Sequence, residues 1–541
     1  MKRTMLLWIL IPAVLLVLSC DSRSKDYADL VLINGNIYTV SEDNPREQAV
    51  AVKDGRIQAV GSDKHIDALR GPDTILLDVQ GKLVIPGFID AHCHFASGGK
   101  SLADLDLRQV NSIDEIKQKI TAKIKELPEG APVFGRGSFP NTSLFPGLGW
   151  PTKEILDEVS PDNPVVIRRG GGHAVWINTR ALQQSGIIKE SAAPYGGEIV
   201  KNPDTGEPTG ILKEAAQSLV RIRGGSTPKE DIERALIHSA KLGLTGICTS
   251  SSLNEIEIFR ELDKIGTLTL RVNAWLPVSG IDNYIEKGIK QGQGDEKVKI
   301  GFLKIFIDGT IGVRSALMFE SFSEEPGNTG LAQFEEEEFY ARIEKAHKNG
   351  YQTGTHAIGD KGVNWVLNAI ERAQKKHGKK GLRHRVEHNT VNLVSDTKRF
   401  QELEVVASMQ PNITGGQDYR ERRLGKERAR RVDMWRTLIE NNTMLAWGTD
   451  WPVSTINPMH NLYQIVTRYP EQRLTMDEAI KYYTYGSAYA CFEEDLKGTL
   501  EVGKLADMVV LSNDLFTIDP QEILNTEVLY TILGGEIVYH K

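Results

Sequence analysis

The chain has 541 residues, of which 40% are hydrophobic and 25% are charged, a composition typical of a globular protein. At roughly 100–200 residues per domain, this length indicates several domains or one large barrel with additions, and it excludes a small disulfide-stabilised or metal-stabilised fold. Lys and Arg together number 65 against 72 Asp and Glu, which gives a net charge of −7. Such a chain has no global positive field to hold a polyanion, so we expect no nucleic-acid partner.

The first twenty residues differ from this average. Lys2 and Arg3 precede a nearly uninterrupted apolar run over residues 5–18, which is too short to span a bilayer and is typical of a signal peptide. The following segment, Leu-Ser-Cys at 18–20, resembles a bacterial lipoprotein cleavage box, in which Cys20 becomes the lipidated first residue. A plain signal peptide with a chance cysteine is the alternative. Residues 1–20 thus predict a protein of the bacterial cell envelope, with its body in the periplasm or outside the cell and only a lipid in the membrane.

Short alternating apolar runs bounded by glycine or charged turns occur near both ends of the mature chain. They fill residues 26–82 and return in residues 498–541, where 505–511 and 535–539 have the pattern of strands. We predict that the two ends together build one β-sandwich.

Between these ends, residues 83–497 alternate apolar strand-like runs with helical stretches, which indicates βαβ units and a parallel sheet. Eight such runs predict an α/β protein with a closed (β/α)₈ TIM-like barrel, and no Gly-x-Gly-x-x-Gly fingerprint follows the first strand. The span exceeds the roughly 250 residues of a typical barrel. The excess lies at about 101–227, after the first strand, and predicts an inserted subdomain on the side of the active-site loops.

Two histidines lie near the end of the first predicted barrel strand. His92 and His94 are two residues apart, so in a strand both side chains face one side while Cys93 faces the other. Two imidazoles at this spacing suit zinc or a similar divalent metal. By itself a His-x-His pair is as compatible with coincidence as with a metal site.

Four more side chains lie at or near the C-terminal ends of apolar strands, where barrel enzymes build their sites: Lys304, His356, His388 and Asp450. A lysine inside an apolar strand has two interpretations. It forms an ion pair with Asp308, four residues later, or its burial lowers its pKa enough for the neutral amine to exist, as catalytic lysines require.

Several segments in this order resemble the metal-dependent amidohydrolase superfamily, and within it the amidohydrolase family 3 branch of YtcJ-like and N-substituted formamide deformylase-like proteins. The resemblance covers nearly all of the mature chain. It is carried by the segments IPGFIDAHCHF, GGGHAVWINTRAL, LKIFIDGTIG, GTHAIGD, RVEHN, MQPNIT, WGTDWPV and GKLADMVVL.

The resemblance implies a binuclear site of two divalent metal ions, with zinc the expected metal. Within it, His92, His94 and Asp450 would hold one ion, His356 and His388 would hold the other, and a carboxylated Lys304 would bridge both. Two such ions lower the pKa of a shared water and polarise a carbonyl, which gives a metal-bridging hydroxide. Asp450 would take the proton of that hydroxide and pass it to the leaving amine.

The predicted function is therefore the hydrolysis of a C–N bond in a small amide, N-acyl or N-formyl compound. Hydrolysis of a cyclic amide or lactone, or deamination, is the alternative on the same site, and a non-catalytic ligand-binding lipoprotein is a third possibility. Many relatives are dimers, so a homodimer is compatible with the sequence.

Four further residues are candidate contacts for the substrate. His173 and Trp176 match a family segment in the insertion, and Asp308 and Arg314 follow the lysine strand. Each has a structural alternative, which is a local hydrogen bond for the first pair and an ion pair for the second.

Overall fold

The computed structural model describes residues 27–541 apart from 109, 140, 142, 147–148, 170–173, 195–196, 223 and 313. The predicted signal segment with Cys20, and also His173, lie outside the described residues. Within the described residues, every helix is too short or too polar to cross a bilayer.

The centre of the molecule is a sheet of eight parallel strands whose order in space follows their order in the chain. This arrangement confirms the predicted α/β class with a TIM-like barrel. Over most of their length these strands are buried on both faces of the sheet, because side chains fill the inside of the barrel and helices cover its outside. The strands are Phe88–Cys93, Leu244–Ser250, Arg271–Pro277, Val298–Phe306, Thr353–Ala357, Arg385–His388, Val406–Met409 and Leu445–Trp447.

Helices connect successive barrel strands and pack on the outside of the sheet. Three of them begin with a capping box, in which a Ser or Thr and a Glu three residues later exchange hydrogen bonds with backbone amides, at Thr227, Ser252 and Thr475. The helices associated with the barrel are Phe95–Ala103, Pro228–Ala240, Leu253–Lys264, Ile281–Glu286, Glu336–Lys348, Asp360–His377, Thr397–Glu402, Gln417–Leu424, Lys426–Ala429, Trp435–Glu440, Pro458–Thr467, Met476–Lys481 and Ser487–Ala490.

Two further sheets share a hydrophobic core that includes Leu32, Val52, Met508 and Ile532. One consists of strands from the N-terminal part of the chain, and the other contains strands from both ends. In spatial order, one sheet consists of Arg56–Gly61, Ala49–Lys53, Leu30–Ile33 and Ile75–Asp78. The other consists of Glu536–His540, Val528–Leu533, Met508–Leu511, Leu83–Pro86, Asn36–Tyr38 and Arg46–Glu47. A short helix, Asp63–Asp67, packs against the first sheet.

A separate six-stranded sheet lies within the segment that was predicted to be an insertion. Its strands, in spatial order, are Gly197–Lys201, Pro208–Glu214, Ala174–Ile177, Val165–Arg169, Val133–Gly137 and Leu105–Leu107. The helices Ile113–Lys125, Lys153–Asp157 and Thr179–Ser185 belong to the same region. Two hydrophobic clusters of its own residues form its core.

Hydrogen bonds join the first and last barrel strands just beyond the end of Leu445–Trp447. The carbonyl of His92 accepts from the amides of Thr449 (3.2 Å) and Asp450 (2.7 Å), and the amide of His94 donates to the carbonyl of Trp451 (2.8 Å). The buried Asp90 carboxylate accepts from the amide and the hydroxyl of Thr449 at 3.1 and 2.5 Å. We name these contacts the barrel seam.

A buried ion pair joins the barrel to the C-terminal strands. The guanidinium of Arg271 contacts both carboxylate oxygens of Asp507, at 2.7 and 2.9 Å, and both side chains are 4% exposed. Burial acts to raise the pKa of Asp507, but the charge and hydrogen bonds of Arg271, together with the charge of Lys497 and the amide of Gly534, leave that pKa below its usual value.

We predict that Asp507→Ala lowers the free energy of unfolding by about 3–5 kcal/mol at neutral pH, because it leaves the Arg271 charge buried and uncompensated. The pKa of Asp507 is depressed, so its stabilisation is lost as the pH falls through the folded-state value, and the two proteins should converge in acid. Urea unfolding at several pH values measures both effects. Glu198→Gln, which breaks the more exposed Lys213–Glu198 pair, should cost less than about 1 kcal/mol.

Candidate active site

Three side chains that could hold a metal ion converge at the barrel seam. Ligand atoms of His92, His94 and Asp450 all lie within 4.8 Å of one another. Oδ1 of Asp450 is 3.1 Å from Nε2 of His94 and 3.6 Å from Nε2 of His92. The barrel seam produces this arrangement, since it binds the backbone of His92 directly to that of Asp450.

Lys304 points into the barrel next to these ligands. Its Nζ lies 3.2 Å from Nε2 of His92, and 4.9 and 5.0 Å from the ring centroids of Trp275 and Phe306. Burial lowers the pKa of Lys304 to about 8. Lys304 does not form the alternative ion pair with Asp308. The Asp308 carboxylate instead accepts hydrogen bonds from backbone amides.

His356 and His388 lie side by side, with ring centroids 4.4 Å apart. Each ring has one nitrogen held by a protein oxygen: Nε2 of His356 lies 3.0 Å from the carbonyl of Gly309, and Nδ1 of His388 lies 2.6 Å from Oε1 of Gln410. Burial lowers the pKa of His388 to about 3 and that of His356 well below its usual value, so both rings are neutral at neutral pH. Nδ1 of His356 and Nε2 of His388 are therefore the nitrogens available to a metal.

Two of the candidate ligands have backbone conformations that are uncommon for their residue types. The φ angle is 72° at His388 and 55° at Asp450. Both are in the left-handed region, which non-glycine residues rarely adopt and which is often found at functional sites. Each residue follows or ends a barrel strand, where a left-handed residue turns the chain.

Sequence reasoning missed Glu387 and Gln410. The fully buried Glu387 places Oε2 at 2.6 Å from Nδ1 of His92, and Gln410 binds His388. A signal for Glu387 was present, because a carboxylate in an otherwise buried strand requires a partner. That partner is 295 residues away in the chain, so its identity could not be read from local sequence.

Asp308 lies beside His356 and lines the cavity next to the site. Its carboxylate accepts from the amides of Leu317, Ile358 and Gly359 at 2.9, 3.0 and 2.8 Å, and Oδ1 is 3.6 Å from Nε2 of His356. Burial raises its pKa to about 7, although the three amides act in the opposite direction. These contacts anchor the loop that follows the Lys304 strand to the loop that follows His356.

Arg314 and Trp176 lie away from that cavity. Arg314 is 3.6 and 3.5 Å from the carboxylates of Glu324 and Glu325, which matches the ion-pair alternative. Trp176 is buried in the core of the inserted region, where its Nε1 donates to the carbonyl of Thr152 at 3.0 Å. The structure thus does not bring these two candidates to the metal-ligand cluster.

A cavity of about 840 Å³ opens onto His94 and Lys304. This volume lies within the range typical of small-molecule sites. Aromatic side chains contribute to its wall, and Phe306 remains 46% exposed although its ring centroid is 5.2 Å from that of His356. The lining includes Trp275, Phe306, Phe334, Gln333, Arg342 and Ser250 to Ser252.

Known proteins share both the sequence and this fold. The chain is 32% identical to the YtcJ protein of Bacillus subtilis (strain 168), over 94% of this chain and 98% of the relative. It is 27% identical to N-substituted formamide deformylase of Arthrobacter pascens, over 95% of this chain and 98% of the enzyme. A crystal structure of an uncharacterized metal-dependent hydrolase from Pyrococcus furiosus is 28% identical, with a TM-score of 0.75, and the match covers 90% of this chain and all of that one.

The family model described as "Amidohydrolase family" matches residues 76–539, which is most of the chain. The match includes all six predicted metal ligands and the C-terminal strands Met508–Leu511 and Val528–Leu533. This extent, together with the metal-competent cluster in the barrel, shows that the protein is a hydrolase and belongs to the amidohydrolase family.

Proposed function

We propose that the protein hydrolyses a C–N bond in a small amide, N-acyl or N-formyl compound, with two divalent metal ions as cofactors. One observation carries the proposal, which is that six metal-competent residues lie together at the C-terminal end of the barrel, next to a cavity of small-molecule size: His92, His94, Lys304, His356, His388 and Asp450. The related formamide deformylase, by its name, also acts on a C–N bond.

The donor set fits divalent metal ions. Acceptor oxygens of Glu387, Gly309 and Gln410 each bind one ring nitrogen of a histidine, which leaves the other nitrogen of the same ring as a ligand. Imidazole nitrogens combined with a carboxylate suit zinc, and also other first-row divalent ions. His92, His94 and Asp450 would hold one ion, and His356 and His388 would hold the second.

When bound, the metal ions would acidify a water molecule and polarise the carbonyl of the substrate. Asp450 accepts the proton released by the water and delivers it to the nitrogen of the departing amine. Its carboxylate is suited to this transfer because it is only partly exposed and is held in place by the barrel seam. The nearby cavity admits the substrate, and its aromatic walls favour an apolar substituent.

We further propose that Lys304 is carboxylated and bridges the two ions. The ammonium first loses one proton, and the neutral amine then attacks the carbon of carbon dioxide. An N–C bond forms, one C–O π bond breaks and a second proton leaves the nitrogen, so that a cation becomes an anion with two ligand oxygens. Support comes from the burial of Nζ, from its distance of 3.2 Å to His92, and from a pKa of about 8, which makes the nucleophilic neutral amine accessible.

The proposal also includes export and a lipid anchor on Cys20. Its support is the sequence of residues 2–20, since this segment lies outside the described residues. A homodimer remains compatible with this proposal.

We predict that Asp450→Asn lowers kcat by about 10²–10⁴-fold on a panel of N-formyl and N-acyl amides, because the amide cannot accept the proton. Amine release measures the rate, and circular dichroism checks that the variant is folded. Glu261→Gln, the same change on an outer helix, should keep wild-type turnover. A fully active Asp450→Asn protein would contradict the proposed role of Asp450. Release of ammonia instead of an amine by the wild-type protein would indicate deamination and not amide hydrolysis.

We predict about two divalent ions per chain in protein that lacks residues 1–20 and is purified without chelators. Lys304→Ala should reduce this number to one or fewer, because the bridging ligand is lost, whereas Lys213→Ala on the inserted sheet should not. Elemental analysis measures the metals, and isotope-labelled bicarbonate with carbon NMR detects the carbamate. One ion in both proteins would indicate a mononuclear site.

We predict that Cys20→Ser prevents lipid attachment and moves the protein from the membrane fraction of a bacterial host to a soluble fraction. Incorporation of labelled palmitate and membrane fractionation measure this change, and Cys248→Ser serves as the control because Cys248 is buried in the barrel. Equal membrane retention of wild type and Cys20→Ser would exclude the lipid anchor.

A further inference from the structure

We propose that Glu387, itself oriented by Arg385, is a positioning residue that determines which ring nitrogen of His92 faces the metal site. The inference rests on the proposed function, because it concerns a residue predicted to bind metal. It adds Arg385 to the residues that prepare the site and gives Glu387, which contacts His92, the role of selecting the tautomer of that ring.

The three side chains form one connected group inside the barrel. Oε2 of Glu387 lies 2.6 Å from Nδ1 of His92. Nε of Arg385 lies 2.7 Å from Oε1 of Glu387, and its Nη2 donates to Oε2 at 3.2 Å. All three residues have no exposed surface, so water cannot replace any of these contacts.

The contacts specify the tautomer of His92. The Glu387 carboxylate can only accept a hydrogen bond, so the proton of the His92 ring must be on Nδ1. Independently, the amine of Lys304 lies 3.2 Å from Nε2, where it can donate to a nitrogen lone pair. The Glu387 contact therefore requires Nε2 to be unprotonated, and the uncarboxylated Lys304 amine is placed to donate to it. Nε2 is the nitrogen that faces Asp450.

Arg385 is fixed by more than the ion pair. Its Nη2 also donates to the carbonyl of Ala91 at 2.7 Å and to Oγ of Ser408 at 2.9 Å, and its guanidinium lies 4.4 Å from the centroid of the Phe302 ring. Ala91, Ser408 and Phe302 belong to three different barrel strands. Arg385 thus holds the Glu387 carboxylate at a position defined by the barrel itself.

The neighbouring strand leaves room for this carboxylate. A Cβ atom on Gly354 would lie 2.9 Å from Oε1 of Glu387 and 2.2 Å from the ring of Phe302. Any larger residue at position 354 would therefore displace Glu387, Phe302 or both. The glycine is needed for the close approach of these side chains and not for an unusual backbone angle.

A carboxylate suits this position because Oε2 accepts from Nη2 of Arg385 and contacts Nδ1 of His92, while Oε1 forms a close ion-pair contact with Nε of Arg385. In Glu387→Gln, one oxygen becomes an NH₂ group that points either at Arg385 or at Nδ1 of His92. An NH₂ group at His92 would make Nδ1 an acceptor and place the proton on Nε2, which removes the lone pair needed by a metal. A ring orientation fixed in this way commonly contributes 10–100-fold to metal affinity.

The alternative is that the Arg385–Glu387 pair serves only the stability of the core. The pair of Arg271 and Asp507 is a matched control, since it has the same charges, similar distances and similar burial but contacts the C-terminal strands instead of a metal ligand. Loss of stability is expected from changes in either pair, whereas loss of metal affinity is expected only from a change at Glu387.

The test compares Co²⁺ binding by wild type, Glu387→Gln and Asp507→Asn in the full chain. We expect Glu387→Gln to bind Co²⁺ about 10–100-fold more weakly, with an altered visible absorption spectrum, and Asp507→Asn to bind like wild type. Wild-type affinity and spectrum in Glu387→Gln, or an equal loss in both variants, would overturn the proposal.

A second measurement on the metal-free wild-type protein covers the case in which Glu387→Gln does not fold. Nitrogen NMR of labelled histidine, assigned with His92→Gln, should show a protonated Nδ1 and an unprotonated Nε2 at position 92. A protonated Nε2 would overturn the proposal. Failure of the wild type to bind Co²⁺ would instead refute the metal site, while the NMR result would still decide the role of Glu387.

Discussion

The barrel seam is the contact on which the candidate site depends. The first and last strands are not paired along their length, and they are joined at the C-terminal edge by the carbonyl of His92, the amides of Thr449 and Asp450, and the Asp90 carboxylate. These same hydrogen bonds place the Asp450 carboxylate against His92 and His94. The same hydrogen bonds therefore close the barrel and bring the ligands together, so a change that opens the seam would also separate the ligands.

The interior of the barrel contains an unusual density of ionisable groups, and burial of such groups is costly unless each has a partner. The structure meets this cost in two ways. The ion pair of Arg385 and Glu387 keeps both groups charged. Burial acts to raise the pKa of Glu387, but Arg385, His92 and Lys304 together lower it. His92, His356 and His388, by contrast, are neutral because burial lowers their pKa values, and a neutral imidazole is the form that binds metal.

The surrounding parts hold the barrel and shape its opening. The Arg271–Asp507 pair ties the barrel to strands at the end of the chain, and the anchoring of Asp308 by three amides joins the two loops beside Lys304 and His356. The aromatic wall formed by Trp275, Phe306 and Phe334 then borders the cavity. Chemistry and access thus share elements, because Trp275 and Phe306 lie on barrel strands and the strand Val298–Phe306 also carries Lys304.

The sequence by itself determined the fold class and the ligand-type residues, because both depend on local patterns. Apolar runs that alternate with helices predicted the barrel, which the structure and the family match confirm. His92, His94, Lys304, His356, His388 and Asp450 could be predicted because each lies at or near the C-terminal end of a barrel strand, and those ends meet at one edge of a parallel sheet.

Only the tertiary structure decided how these residues are supported. Glu387 faces His92, from which it is separated by 295 residues, and Gln410 faces His388. Asp308 binds backbone amides and not Lys304, and Trp176 lies in the core of the inserted region. No local pattern contains these outcomes, because strand periodicity specifies the side to which a side chain points, whereas its partner depends on which strands the closed barrel brings into contact.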